Sequence, residues 1–173
     1  TDAKFGDMGK GFHVTSGPAA VYWNPANSPT GNYSVSATFT QTKPATHAEG
    51  YGLITGGHDL TAANQSYGYF LVRQDGKYLI NHRADDSTVH KIVPWTENAA
   101  INKIPDGGKV TNTVRIDFTP NDVLFLVNGT EVHHIPRATI DGPAHAGSTG
   151  FVGIRVNHNL DVHVDNFSVT PLK

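Results

Sequence analysis

The stretch VTNTVRIDFTPNDVLFLVNGTEVHHI, Val110 to Ile135, decides the fold. Val123 to Val127 and Thr130 to Ile135 flank Asn128-Gly129. Asn-Gly between two short apolar runs predicts a two-residue β-hairpin, because both residues tolerate φ > 0. Val110 to Thr119 precedes the hairpin as a third strand, with Pro120-Asn121-Asp122 as the turn. The pattern continues outward on both sides. Tyr67 to Gln74 and Lys77 to Arg83 flank Asp75-Gly76, which reads as a second two-residue hairpin. Tyr33 to Thr42 alternates, with Tyr33, Val35, Ala37 and Phe39 on one side and Ser34, Ser36, Thr38 and Thr40 on the other. That is a half-buried antiparallel strand. Gly11 to Thr15, Ala19 to Trp23, Tyr51 to Gly56, Val89 to Trp95, Gly150 to Asn157 and Asp161 to Thr170 complete the set. No segment of about 11 residues carries a 3.6 period with caps, so little helix is expected. Asp59 to Ser66 is the place for a short helical turn or a compact loop. About a dozen strands, with no repeat and no shift in composition, predict one all-β domain over 1–173, a sandwich or barrel.

Composition removes several functions. The chain has 173 residues, 38% of them hydrophobic, which supports one real core. With no Cys, a disulfide scaffold, a thiolate zinc site and a cysteine nucleophile are impossible. A formal net charge of -2 with scattered Lys and Arg argues against a nucleic-acid partner. No window reaches about 18 apolar residues, so no membrane span is expected. Only 16% of the residues are charged, and Thr, Asn and Ser carry much of the polarity. That composition favours an exported bacterial protein, secreted or periplasmic, although Thr1 to Gly11 holds no apolar signal-peptide core.

The run Val123-Leu-Phe-Leu-Val-Asn-Gly-Thr-Glu-Val132 resembles the hairpin of laminin-G-like and pentraxin-like sandwiches. Gly150-Phe-Val-Gly-Ile-Arg-Val156 and Val162-His-Val-Asp-Asn-Phe-Ser-Val169 resemble the closing strands of the same group, the concanavalin A-like lectin/glucanase superfamily. Within it, the chain is similar to bacterial domains of the 3-keto-disaccharide hydrolase or family 16-like type. The resemblance implies a jelly roll of two antiparallel sheets, often with a sugar-binding concave face, and does not imply a reaction. It also implies a structural Ca²⁺ near the last strand, with Asp165 as ligand and Gly6 and Asp7 supplying oxygens from the N-terminal segment. Retaining glucanases of family 16 carry Glu-x-Asp-x-x-Glu on one strand. Here Glu occurs only at Glu49, Glu97 and Glu131, and none is followed by Asp two residues on. That absence argues against this hydrolytic chemistry. No G-x-S-x-G elbow is present either.

Sugar recognition needs aromatic faces for the C–H side of a ring and planar polar groups for its hydroxyls. Alternation puts Tyr67, Tyr69, Leu71 and Arg73 on one side of their strand. In the next strand Tyr78, Ile80 and His82 share one phase and Leu79, Asn81 and Arg83 the other. Near the C-terminus, Val152, Ile154 and Val156 face the core, which leaves Phe151, Arg155 and Asn157 on the opposite face. A concave face bearing Tyr69, Arg73, His82, Arg155 and Asn157 is the expected ligand site, with Trp95 or Trp23 as a platform. The function expected is an exported, non-catalytic carbohydrate-binding module. The alternatives are a glycoside-active enzyme of the keto-disaccharide type and a laminin-G-like interaction domain.

Overall fold

The computed structural model describes residues 3–173. Thirteen strands form two sheets whose pairings are all antiparallel. The first contains β1 (Lys4–Met8), β2 (Gly11–Thr15), β4 (Tyr33–Gln41), β9 (Val110–Phe118), β10 (Asp122–Val127), β11 (Thr130–Pro136) and β13 (Asp161–Pro171). Its order is β1-β2-β13-β4-β9-β10-β11. The second contains β3 (Ala20–Trp23), β5 (Gly50–His58), β6 (Ser66–Arg73), β7 (Lys77–Arg83), β8 (Val89–Glu97) and β12 (Phe151–Val156), in the order β3-β12-β5-β6-β7-β8. The one helix, α1, is the single turn Arg137–Ile140. No helix among the described residues is long and apolar enough to cross a membrane.

Alternation builds the core. Val35, Ala37 and Phe39 of β4 and Val114, Ile116 and Phe118 of β9 are buried in one cluster with Leu53, Phe70 and Ile154 of the other sheet. Ring pairs lock both layers: Tyr33–Phe118 at 4.6 Å, Phe39–Tyr51 at 5.3 Å and Phe70–Phe125 edge-on at 5.2 Å. The polar positions of β4 point outward, where Thr38 bonds Thr113 at 3.0 Å and Thr40 bonds Thr111 at 2.8 Å.

The two hairpins differ in one respect that governs the site. Asn128-Gly129 closes on Val127 and Thr130 with φ of 52° and 81°, the two-residue turn the sequence predicts. The Asp75-Gly76 hairpin closes on Arg73 and Lys77, so its loop has three residues, Gln74, Asp75 and Gly76. Gly76 sits at φ 81° and donates its N–H to the Arg73 carbonyl at 3.1 Å. Gln74 is drawn into the loop by its own contacts. Its side-chain oxygen accepts from Gln41 Nε2 at 2.8 Å and the Ala45 N–H at 2.9 Å, and its carbonyl accepts from the Ile104 N–H at 2.9 Å. One added turn residue inverts the phase of the returning strand.

Two elements escape the sequence reading. β1 is exposed along its whole length and its sequence KFGDM does not alternate; pairing with β2 alone forms it. α1 is too short to show a helical period. Asp59 to Gln65, read as a short helical turn or a compact loop, is the loop, with Ala62 N–H bonded to the Asp59 carbonyl at 2.8 Å.

Candidate binding face

The outward face of the six-stranded sheet is assembled by register. Trp23 of β3 pairs with Gly153 of β12, Gly153 with Ile54 of β5, Ile54 with Tyr69 of β6, and Tyr69 with Asn81 of β7. The next row aligns Val21, Arg155, Gly52, Leu71 and Leu79. Paired residues point to the same side, so these side chains share one surface.

A polar cluster lies at its centre. Arg155 donates from Nη1 to the Tyr67 hydroxyl at 2.5 Å and from Nε to Asn157 Oδ1 at 3.0 Å. Its guanidinium stacks 5.0 Å from the centre of the Tyr69 ring. Asn81 Nδ2 donates to the Tyr69 hydroxyl at 3.1 Å. Asn81 is only 6% exposed, and its Oδ1 has no hydrogen-bond partner. A buried carbonyl oxygen without a donor is costly. Beside this cluster, Arg73 stacks 4.4 Å over Trp95 and pairs through Nε with Asp75 Oδ1 at 2.8 Å. The indole has room because Gly50 has no side chain: a Cβ there would stand 2.9 Å from the Trp95 ring.

Tyr69, Arg155 and Asn157 therefore meet as expected, and Arg73 with Trp95 extends the same face. Tyr67 and Asn81 join them. His82 does not. The three-residue turn sets it opposite Gly68, on the inner side with Tyr78 and Ile80, and sends Asn81 outward. His82 is 5% exposed, and its ring centre lies 5.3 Å from that of His90 and 5.9 Å from that of His145. Its Nε2 meets Ser66 Oγ at 3.1 Å.

Burial lowers the His82 pKa, and His90 and His145 push it the same way. Burial and His90 also lower that of His145. The sign of the pH effect follows. Above the ordinary imidazole value of about 6.5, both rings are neutral folded and unfolded, and stability is complete. Below it the unfolded chain takes up protons that the folded chain refuses, so stability falls. Asp85, held at about 2 chiefly by hydrogen bonds from Ser87, responds only at far lower pH. Between pH 7 and pH 5 the unfolding midpoint is expected to drop by about 2–4 °C, and His145→Gln is expected to flatten that slope. Thermal melts across this range check it; equal slopes in both proteins would refute it.

The calcium expectation fails a fit test. Asp7 pairs with Phe12 and Phe12 with Val164, so Asp7 points to the side opposite Asp165, and all of β2 separates Gly6 and Asp7 from β13. Asp165 Oδ2 is instead 3.1 Å from His163 Nε2. Ca²⁺ needs about six to eight converging oxygens, and these residues do not supply them. Among the described residues no group of three or more His, Asp or Glu is placed to hold a metal ion.

No protein-family model and no curated protein matches the chain. Solved structures do. The carbohydrate-binding module CBM66 from Bacillus subtilis superposes with a TM-score of 0.71 at 10% identity, covering 98% of this chain and 92% of that one. A Bacteroides ovatus GH16 protein of a mixed-linkage glucan locus, in complex with a G4G4G3G product, gives 0.61 at 9% identity, over 96% and 84%. Sheep galectin-11 gives 0.55 at 13% identity, over 89% and 97%. At such identities the likeness is one of fold.

Proposed function

We propose, from the concanavalin A-like, glucanase-like jelly roll that this chain adopts, that the outward face of the six-stranded sheet binds carbohydrate without catalysis. The observation that carries the reading is the polar cluster of Arg155, Tyr67, Tyr69 and Asn81 set in that face. Arg155, its half-buried member, offers donors to the hydroxyls of a sugar. Trp23 and Trp95, on the same face, offer rings to the apolar side of a sugar. The strands of this face carry one carboxylate, Glu97, which is held by Lys103 at 2.6 Å. Glycoside hydrolysis ordinarily needs two, and this supports the non-catalytic reading. The low charge and the Thr- and Asn-rich composition favour an exported protein that meets glycans outside the cytoplasm; cell fractionation checks this.

A glycan array followed by calorimetry tests the proposal. Arg155→Ala is expected to weaken the best glycan by about 10- to 100-fold, the loss of one charge-assisted hydrogen bond and a stacked cation. The unfolding midpoint should fall by about 2–6 °C, because the buried Tyr67 hydroxyl loses its partner, so binding is compared well below the midpoint of both proteins, and no reducing ends should be released. No glycan bound, or equal affinity in Arg155→Ala, would sink the proposal.

A further inference from the structure

Arg155 differs from the other arginines in what surrounds its charge. Arg73, Arg115 and Arg137 each meet a carboxylate, Asp75 at 2.8 Å, Asp117 at 2.7 Å and Asp141 at 3.1 Å. Arg83 donates to the main-chain carbonyls of Asp85 and Asp86. Arg155 has only neutral partners, the Tyr67 hydroxyl, Asn157 Oδ1 and the face of the Tyr69 ring. Those bonds use Nη1 and Nε, so Nη2 meets no acceptor among the described residues. Nη2 is not sealed from solvent either. Glu49, beside Gly50 at the start of β5, is taken up by His158 Nε2 at 2.8 Å. A half-buried cation without a counter-charge has lost part of its hydration and gains no ion pair in return.

The strands around it carry the same sign. Register turns Arg73, Lys77, Arg83 and Lys91 outward on the sheet that bears Arg155. Glu97 is the one carboxylate on those strands, and Lys103 holds it. The acids of the bordering turns are engaged locally: Asp75 with Arg73, Asp85 with Ser87 and Thr88, and Asp86 with Gln65. The whole chain has a formal net charge of -2, so the cationic excess belongs to this face and not to the protein at large. We infer that the face selects acidic glycans, with the carboxylate of a uronic acid residue on Arg155 Nη2, an inference that rests on the carbohydrate reading. The ligand supplies the counter-charge that the fold withholds, and a planar guanidinium matches a carboxylate in shape as well as in sign. Lys91, at the far end of the row through Tyr69 and Asn81, draws in a further carboxylate of the same glycan chain.

Tetrasaccharides of galacturonic, glucuronic and mannuronic acid form the test, each beside its carboxyl-reduced twin, in which the carboxylate has become a primary alcohol. In the wild type at least one acidic tetramer is expected to bind about tenfold or more tightly than its twin in low salt. Raising sodium chloride from about 50 mM to about 0.5 M should shrink that ratio about threefold or more. Arg155→Gln, measured well below its unfolding midpoint, should bring the ratio near one. Lys91→Gln, at an exposed position, should lower it about twofold and leave the midpoint in place. Equal binding of the acidic and neutral twins, a ratio indifferent to salt, or a ratio kept in Arg155→Gln overturns the inference while the sugar face survives. Tighter binding of a sulfated galactan tetramer than of every uronate overturns the carboxylate assignment. If no glycan binds, acidic or neutral, the carbohydrate reading itself fails and the inference falls with it.

Discussion

Arg137→Ala is expected to lower the unfolding midpoint by about 8–15 °C, equivalent to about 3–4 kcal/mol in a chain of this size. A guanidinium has five N–H donors, and all are used. Nη1 donates to Asn32 Oδ1 at 3.0 Å and to the Thr119 carbonyl at 2.9 Å. Nη2 donates to the Gly31 carbonyl at 2.8 Å and to Ser148 Oγ at 2.9 Å. Nε donates to Asp141 Oδ2 at 3.1 Å. These partners come from three separate loops, one of which starts at Asp141, the residue that ends α1. Ser148 is also tied to the core, since Tyr33 donates its hydroxyl to the Ser148 carbonyl at 2.7 Å and the Ser148 N–H bonds Asp141 Oδ1 at 2.8 Å. Burial opposes ionisation of Asp141, yet hydrogen bonds from Ser148 and Arg137 outweigh it and hold its pKa low. Removing Arg137 strands several acceptors together. Arg137→Lys should recover little, because one ammonium cannot reproduce a planar fork. Thermal melts measure the loss, and limited proteolysis should find new cleavage between 141 and 150. A loss under about 3 °C would mean that the loops hold without this hub.

Asn112→Leu is expected to cost about 3–5 kcal/mol. Asn112 is fully buried on the inner side of β9. Its Nδ2 donates to the Tyr51 hydroxyl at 3.1 Å and to the Asn102 carbonyl at 3.2 Å. Its Oδ1 accepts from the Asn102 N–H at 2.8 Å and from Asn128 Nδ2 at 2.9 Å. One side chain thus joins the two sheets, the loop after β8 and the β10–β11 turn. Burial pushes the Tyr51 pKa up to about 12, although the bond from Asn112 opposes it. Leucine fills nearly the same volume and leaves the Tyr51 hydroxyl and the Asn102 amide unpaired. Adding Tyr51→Phe should cost less than the two single losses summed, since it removes one of those orphans. Denaturant unfolding of the four proteins checks this. Strict additivity would show that the Asn112–Tyr51 bond contributes nothing of its own.

Much of this was legible in the sequence, and the failures have definite causes. Alternation in Tyr33 to Thr42 and the Asn128-Gly129 turn are local signals, and they placed those strands and that hairpin correctly. Arg155, Asn157 and Tyr69 were readable because their strand neighbours are plainly apolar. His82 and Asn81 exchanged places because the turn length depends on Gln74 bonds to Gln41, Ala45 and Ile104, which lie far off in the chain. Arg137 and Asn112 carry no local mark, since their partners converge only in three dimensions.

The three-residue turn at Gln74-Asp75-Gly76 has an evolutionary consequence. Loss of one codon there would turn every side chain of β7 over, bringing His82 to the outward face of the sheet and Asn81 into the core. The length of that loop therefore acts as a genetic selector between two complete sets of outward-facing side chains carried on the same strand. Point mutation tests residues of the outward set one at a time. A single deletion in the turn would replace the whole set at once, and the hydrogen bonds of Gln74 are what hold the present choice in place.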